Sequence, residues 1–110
     1  MDKNFSQHTF LTLFTLLDKE YEKSKNHSLG SLLGSMNPDL FEESISADPA
    51  VYEDFCDCAN DNFSKTYTAD VRTAYLSAMQ FLRKYRDDFG FELDDAIKGI
   101  SFDVFVREFV

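Results

Sequence analysis

The residues of this chain whose types could do chemistry are two cysteines, two histidines and a surplus of carboxylates, and their spacing decides what is open to them. Cys56 and Cys58 stand two positions apart in a segment of helical pattern, so their side chains point to nearly opposite sides and cannot join each other. One is expected to be a small buried hydrophobe and the other a surface thiol, and a disulfide framework is excluded. A zinc site asks for further Cys or His at matching spacing, which the distant His8 and His27 do not provide. The run Asp57, Ala59, Asp61 has neither the central glycine nor the terminal glutamate of a calcium loop. No cofactor and no metal are expected.

A nucleophilic Ser or Cys needs a base within hydrogen-bond reach and a third group to orient that base. His8 falls in the first turn of a helix and His27 in a polar connection, and both read as solvated residues. Gly30 and Gly34 lack the Lys-Ser/Thr that completes a phosphate-binding loop. The adjacent carboxylates Glu42 with Glu43 and Asp94 with Asp95 could serve glycosidic chemistry only inside a cleft, which a helical chain of 110 residues scarcely builds. An enzyme is not expected.

The carboxylates matter collectively instead. The net charge is -9, and it is not spread evenly. Between Lys25 and Lys65 there is no Lys or Arg, yet the interval holds Asp39, Glu42, Glu43, Asp48, Glu53, Asp54, Asp57 and Asp61, which leaves 12 acids against 11 basic residues elsewhere. Such a field repels nucleic-acid phosphates and anionic lipid surfaces and attracts cationic proteins, whose association it speeds. Direct contact with nucleic acid or with a membrane is therefore not expected. The alternative is that the charge serves solubility alone.

The elements that must position these groups follow from apolar periodicity. Phe10, Leu13, Phe14, Leu17 and Tyr21 recur on one face and predict a helix from about Ser6 to Lys23. A polar loop over 23–28 follows, then a short helix carrying Leu29, Leu32, Leu33 and Met36 and ended by Gly34, Asn37 and Pro38. Residues 38–48 form an irregular loop that Leu40, Phe41 and Ile45 can pin to the core. Asp48 as N-cap with Pro49 in the first helical position opens the next helix, with Tyr52, Phe55, Cys56, Ala59 and Phe63 as its buried stripe and Glu53, Asp54, Asp57 and Asp61 on its exposed side. Thr68 caps a long helix whose inward residues are Val71, Ala74, Tyr75, Ala78, Leu82, Tyr85 and Phe89, stopped by Gly90. Arg83, Lys84 and Arg86 in its last turns complement the helix dipole.

Leu93, Ala96, Ile97 and Ile100 predict one more short helix, and Phe102, Phe105, Val106 and Phe109 another. The alternation Phe102, Val104, Val106 makes a terminal strand the alternative for that last segment. Together these give a single all-α domain over 1–110, an irregular bundle of five to six helices. The apolar run Phe10 to Leu17 is too short and too polar, with Thr12 and Thr15 inside it, to be a span or a signal peptide. A cytoplasmic location is expected.

Glu53, Asp57 and Asp61 recur every four residues with Asp54 beside them. Like charges at that spacing cost roughly 0.2–0.5 kcal/mol per pair, and Asp61 opposes the helix dipole. A partner bearing Lys and Arg would relieve both. Tyr52 or Phe41, if exposed, would be the aromatic anchors of such an interface, with Asp39, Glu42 and Glu43 extending its charge.

The segment Ser46-Ala47-Asp48-Pro49-Ala50-Val51-Tyr52-Glu53-Asp54-Phe55, preceded by Leu32-Leu33-Gly34, resembles a pattern of bacterial immunity proteins from contact-dependent growth inhibition systems. The resemblance covers about 24 residues and implies a small helical protein of the cytoplasm that binds a toxin domain delivered by a neighbouring cell and blocks it. That toxin would often be a basic nuclease, which agrees with the acidic stretch. The competing expectation is an acidic nucleic-acid mimic or adaptor that occupies a DNA-binding protein.

Overall fold

A computed structural model describes residues 3–37, 48–66 and 70–110. Six helices follow one another, α1 (Lys3–Ser24), α2 (His27–Met36), α3 (Pro49–Thr66), α4 (Val71–Phe89), α5 (Asp94–Gly99) and α6 (Phe102–Phe109), and no strand occurs among the described residues. The architecture is an all-α bundle. The last segment is helical because Ser101 caps it, its hydroxyl accepting the Val104 N–H at 3.3 Å, and because Phe105 is wholly buried on its inner face.

Local chemistry sets where the helices start and stop. The connection between α1 and α2 is only Lys25 and Asn26, shorter than the polarity of 23–28 suggests. Lys25 adopts a left-handed φ of 52° that turns the chain at once, and the Asn26 side chain accepts the Leu29 N–H at 3.1 Å, so α2 opens at His27. Helix α1 likewise begins at Lys3 rather than Ser6. Thr12, a polar interruption of the apolar run, and Thr9 just before it are buried without cost in orphaned groups, since each hydroxyl donates to the carbonyl one turn back, that of His8 and Phe5 respectively, at 2.8 Å.

Helix α4 is capped by Asp70, whose carboxylate accepts the Thr73 N–H at 2.9 Å, while Thr68, the cap expected from sequence, lies outside the described residues. Its far end is stopped by Gly90 at φ 72°, with the Gly90 N–H bonded to the Arg86 carbonyl and the Phe91 N–H to that of Tyr85. The left-handed conformation costs a residue with a side chain about 1 kcal/mol, and glycine nothing.

Helices α3 and α4 pack as an antiparallel pair, Asn62 meeting Gln80 at one end and Asp54 meeting Tyr85 at the other. Helix α1 lies across both, with α2, α5 and α6 against it. Edge-to-face rings run through the middle of this arrangement: Phe10 of α1 stands 5.3 Å from Phe55 of α3, which stands 5.5 Å from Phe81 of α4. All three are fully buried. A second set, Tyr75 with Phe102 and Phe105 at 5.3 and 5.8 Å, seats α6 on α4.

The inward stripes of α3 and α4 differ from those expected, and Val71 and Tyr75 of α4 are only half-buried. On α3 the buried residues are Val51, Phe55, Cys58, Ala59 and Asn62, whereas Tyr52, Cys56 and Phe63 are only half-buried. The face is rotated because α3 is covered by α4 on one flank and α1 on the other, and Phe55 and Ala59 form its centre. On α4, Thr73, Ser77, Met79 and Phe81 are buried as well, since the helix meets neighbours on several sides. Phe89, by contrast, is 56% exposed, one turn beyond the end of the core. Leu40, Phe41 and Ile45 lie outside the described residues.

Among the described residues, no helix is long and apolar enough to cross a membrane. The ring arrangement carries a direct expectation. Phe55→Ala removes a ring from between two others and should lower stability by about 3–5 kcal/mol in urea denaturation, against about 1 kcal/mol for Gly90→Ala. Similar small losses for both would contradict a core organised on Phe55.

Candidate functional site

Helix α3 begins where Pro49 takes the first helical position and the Asp48 carboxylate accepts the Ala50 N–H at 3.0 Å. The Asp48 N–H in turn donates to the Ser35 carbonyl at 2.9 Å, which ties this start to the end of α2. The expected cap is present, and it consumes one of the acids.

The four carboxylates expected to share the solvent face of α3 divide into two kinds. Asp54 is turned toward α4, where it accepts the Tyr85 hydroxyl at 2.8 Å and lies 3.5 Å from the Lys84 ammonium. Asp61 accepts the Gln80 amide at 3.3 Å, and the other end of that amide takes the buried Asn62 at 2.7 Å. Both acids thus brace α3 against α4. Glu53 and Asp57, one turn apart, are exposed and form no ion pair within the described residues. Asp39, Glu42 and Glu43 lie outside the described residues.

Tyr52 is not a free-standing anchor. Its ring packs edge-on against Phe10 at 5.1 Å, and burial, then a hydrogen bond to Cys56, holds its hydroxyl above the ordinary ionisation range. Tyr85 is raised likewise, first by burial and then by its bond to Asp54. Of the thiols, Cys58 is the buried one, while Cys56, in place of a surface thiol, is half-buried and bonded to Tyr52. Burial pushes buried Cys58 up to about 11, outweighing the opposite pull of Lys84, and it also raises half-buried Cys56, which lies in the field of Asp57 and Glu53.

The two imidazoles are far apart, since His8 and the end of α1 are separated by on the order of 25 Å of helix. His8 packs on the Phe109 ring at 4.4 Å and its Nε2 lies 2.6 Å from the Phe109 carbonyl, a contact that ties α1 to α6. His27 sits at the start of α2 on the border of an open depression shared with Asp18, Tyr21 and Lys25. No cluster of three or more His, Cys, Asp or Glu suited to a metal ion occurs among the described residues.

Sequence periodicity missed one exposed aromatic, Phe89, because it continues the inward stripe of α4. The signal was the position itself, directly before Gly90 where the helix leaves the core. Its ring packs on Tyr85 at 4.9 Å, and Tyr85 reaches Asp54, so Phe89 belongs to the same end of the α3–α4 pair as the acidic face. No protein-family model, no curated protein and no solved structure matches the chain.

The thiol and phenol environments fix the sign of the alkaline response. Cys58 rises from an ordinary 9.0 to about 11 in the folded chain. Between those values the unfolded chain releases a proton that the folded chain retains, so stability falls as pH rises from 9 to 11 and is insensitive to this group below 9. Tyr52 and Tyr85 add to the loss above pH 10. Denaturation midpoints should decline over that window, and Cys58→Ala should flatten the part between 9 and 11. Reaction of Cys58 with a disulfide reagent at pH 8 should be slow until urea unfolds the protein. Rapid labelling of Cys58 in the folded chain would contradict its burial.

Proposed function

We propose that this chain is an immunity-type binding protein, which neutralises a cationic toxin domain of nuclease type by meeting it with the solvent face of α3. The observation that carries the proposal is the pair Glu53 and Asp57, exposed and one turn apart on a helix whose other acids are engaged within the fold. Two like charges held at that spacing are mutually destabilising, and Lys and Arg of a partner would convert the repulsion into attraction. In sequence, Asp39, Glu42 and Glu43, which lie outside the described residues, extend the acidic stretch toward α3. The sequence resemblance over 32–55 supports a toxin as the partner.

Such a face acts in two ways. At a distance its field steers a basic protein into encounter. In contact it places carboxylates against the cations that a nuclease uses to hold phosphate, and thereby denies them to the nucleic acid. The binding face does not include Asp54, whose reversal would also break the Tyr85 and Lys84 contacts.

Co-expression with a cognate toxin domain of nuclease type should restore growth to cells that the toxin alone arrests. The double variant Glu53→Lys with Asp57→Lys, which leaves Asp54 and the core intact, should slow association with that domain at least roughly tenfold at low salt, with the difference shrinking as salt is added. Association unchanged by the double reversal would remove α3 from the interface. Recovery of housekeeping DNA-binding proteins in place of a toxin would favour the nucleic-acid mimic.

A further inference from the structure

We infer that Phe89 is the aromatic anchor of the acidic surface and that it selects arginine over lysine in the cationic partner. This rests on the proposed acidic binding face and adds to it a residue and a side-chain specificity.

The packing makes Phe89 available. The stripe of α4 that buries Ala78, Leu82 and Tyr85 continues to Phe89, but there the core has ended and the ring is 56% exposed. It is not loose. It meets the Tyr85 ring in an edge-to-face contact at 4.9 Å, and the left-handed Gly90 fixes the backbone directly after it. The turn does not need this ring for its own apolar contact, because Phe91 packs on Tyr85 at 5.8 Å. An exposed, immobilised ring beyond the core is the geometry of a binding anchor, which loses little conformational freedom when covered.

Charge identifies what would cover it. From Arg83 to Asp95 five carboxylates, Asp87, Asp88, Glu92, Asp94 and Asp95, accompany three cations, of which Arg86 is held by Asp87 at 2.8 Å and Asp94 at 3.2 Å and Lys84 lies 3.5 Å from Asp54. Asp88 and Glu92, on either side of Phe89 in sequence, are exposed. Across the pair, Tyr85 links Phe89 to Asp54 of α3. A purely apolar partner would have to desolvate these carboxylates without pairing them. A guanidinium satisfies both demands, stacking on the ring while its N–H groups bond carboxylates, whereas an ammonium is more strongly hydrated and makes no planar stack.

The test uses the full chain with two fluorescein-labelled peptides, nona-arginine and nona-lysine, with anisotropy read at low salt. Carboxylates alone can favour arginine through bidentate pairing, so the part of the preference that is lost with Phe89→Ala isolates the ring. The expected result is tighter binding of nona-arginine, and a loss of roughly three- to thirtyfold in that affinity for Phe89→Ala, with nona-lysine nearly unaffected. Phe89→Tyr should retain the preference, and circular dichroism should show that Phe89→Ala remains folded.

Equal binding of the two peptides by the parent chain, or a preference undiminished in Phe89→Ala, would overturn the assignment. If in that case Glu53→Lys with Asp57→Lys still abolishes binding, the acidic face stands without Phe89. If neither peptide binds at all, both the face and its anchor fall.

Discussion

The contact on which the rest of the structure depends is the sequence of edge-to-face rings from Phe10 through Phe55 to Phe81. It joins the three longest helices at one place, and every other feature is arranged around it. Aromatic pairs in this geometry contribute about 0.5–1.5 kcal/mol beyond the apolar area they bury, and they are directional, so they orient the helices as well as attracting them. Fixing Phe55 inward rotates α3 so that Cys58 and Asn62 follow it into the core. That same rotation turns Glu53 and Asp57 to solvent and Asp54 toward α4. The position of the acidic face is thus a consequence of how the rings pack.

Much of this was readable from the chain. Periodicity placed all six helices, because each has an apolar stripe and a local stop such as Asn37 or Gly90. The Asp48-Pro49 start was readable too, since both residues act within one turn of where they stand. The failures share a cause. Asp54 and Asp61 look identical to Glu53 and Asp57 along α3, and only the neighbouring helix, carrying Tyr85, Lys84 and Gln80, distinguishes them. Phe89 follows the inward period of α4 faithfully, but the core ends before the helix does, and no residue of α4 itself records how far its neighbours extend.

The buried polar groups on the α3–α4 seam have a role beyond satisfying one another. Asn62 donates both to the Cys58 carbonyl, at 2.9 Å, and to Gln80, and no buried side-chain nitrogen or oxygen among the described residues lacks a hydrogen-bond partner. Apolar contacts alone tolerate sliding of one helix along another, whereas directional polar contacts at both ends of the seam admit a single register. Asp54 with Tyr85 and Asn62 with Gln80 are separated by two turns of α3, and a shift of either helix by one residue would break both.

The bond between Asp54 and Tyr85 also bears on how fast a partner of the proposed kind could dock on the acidic helix. It anchors α3 near its N-terminal end, directly beneath the two outward carboxylates, so the surface is formed before anything touches it. On the described part of that surface a docking protein would meet a helix already formed, with no helix to refold. Encounter rates on such a surface are set by diffusion and long-range attraction, and lifetimes by short-range fit alone.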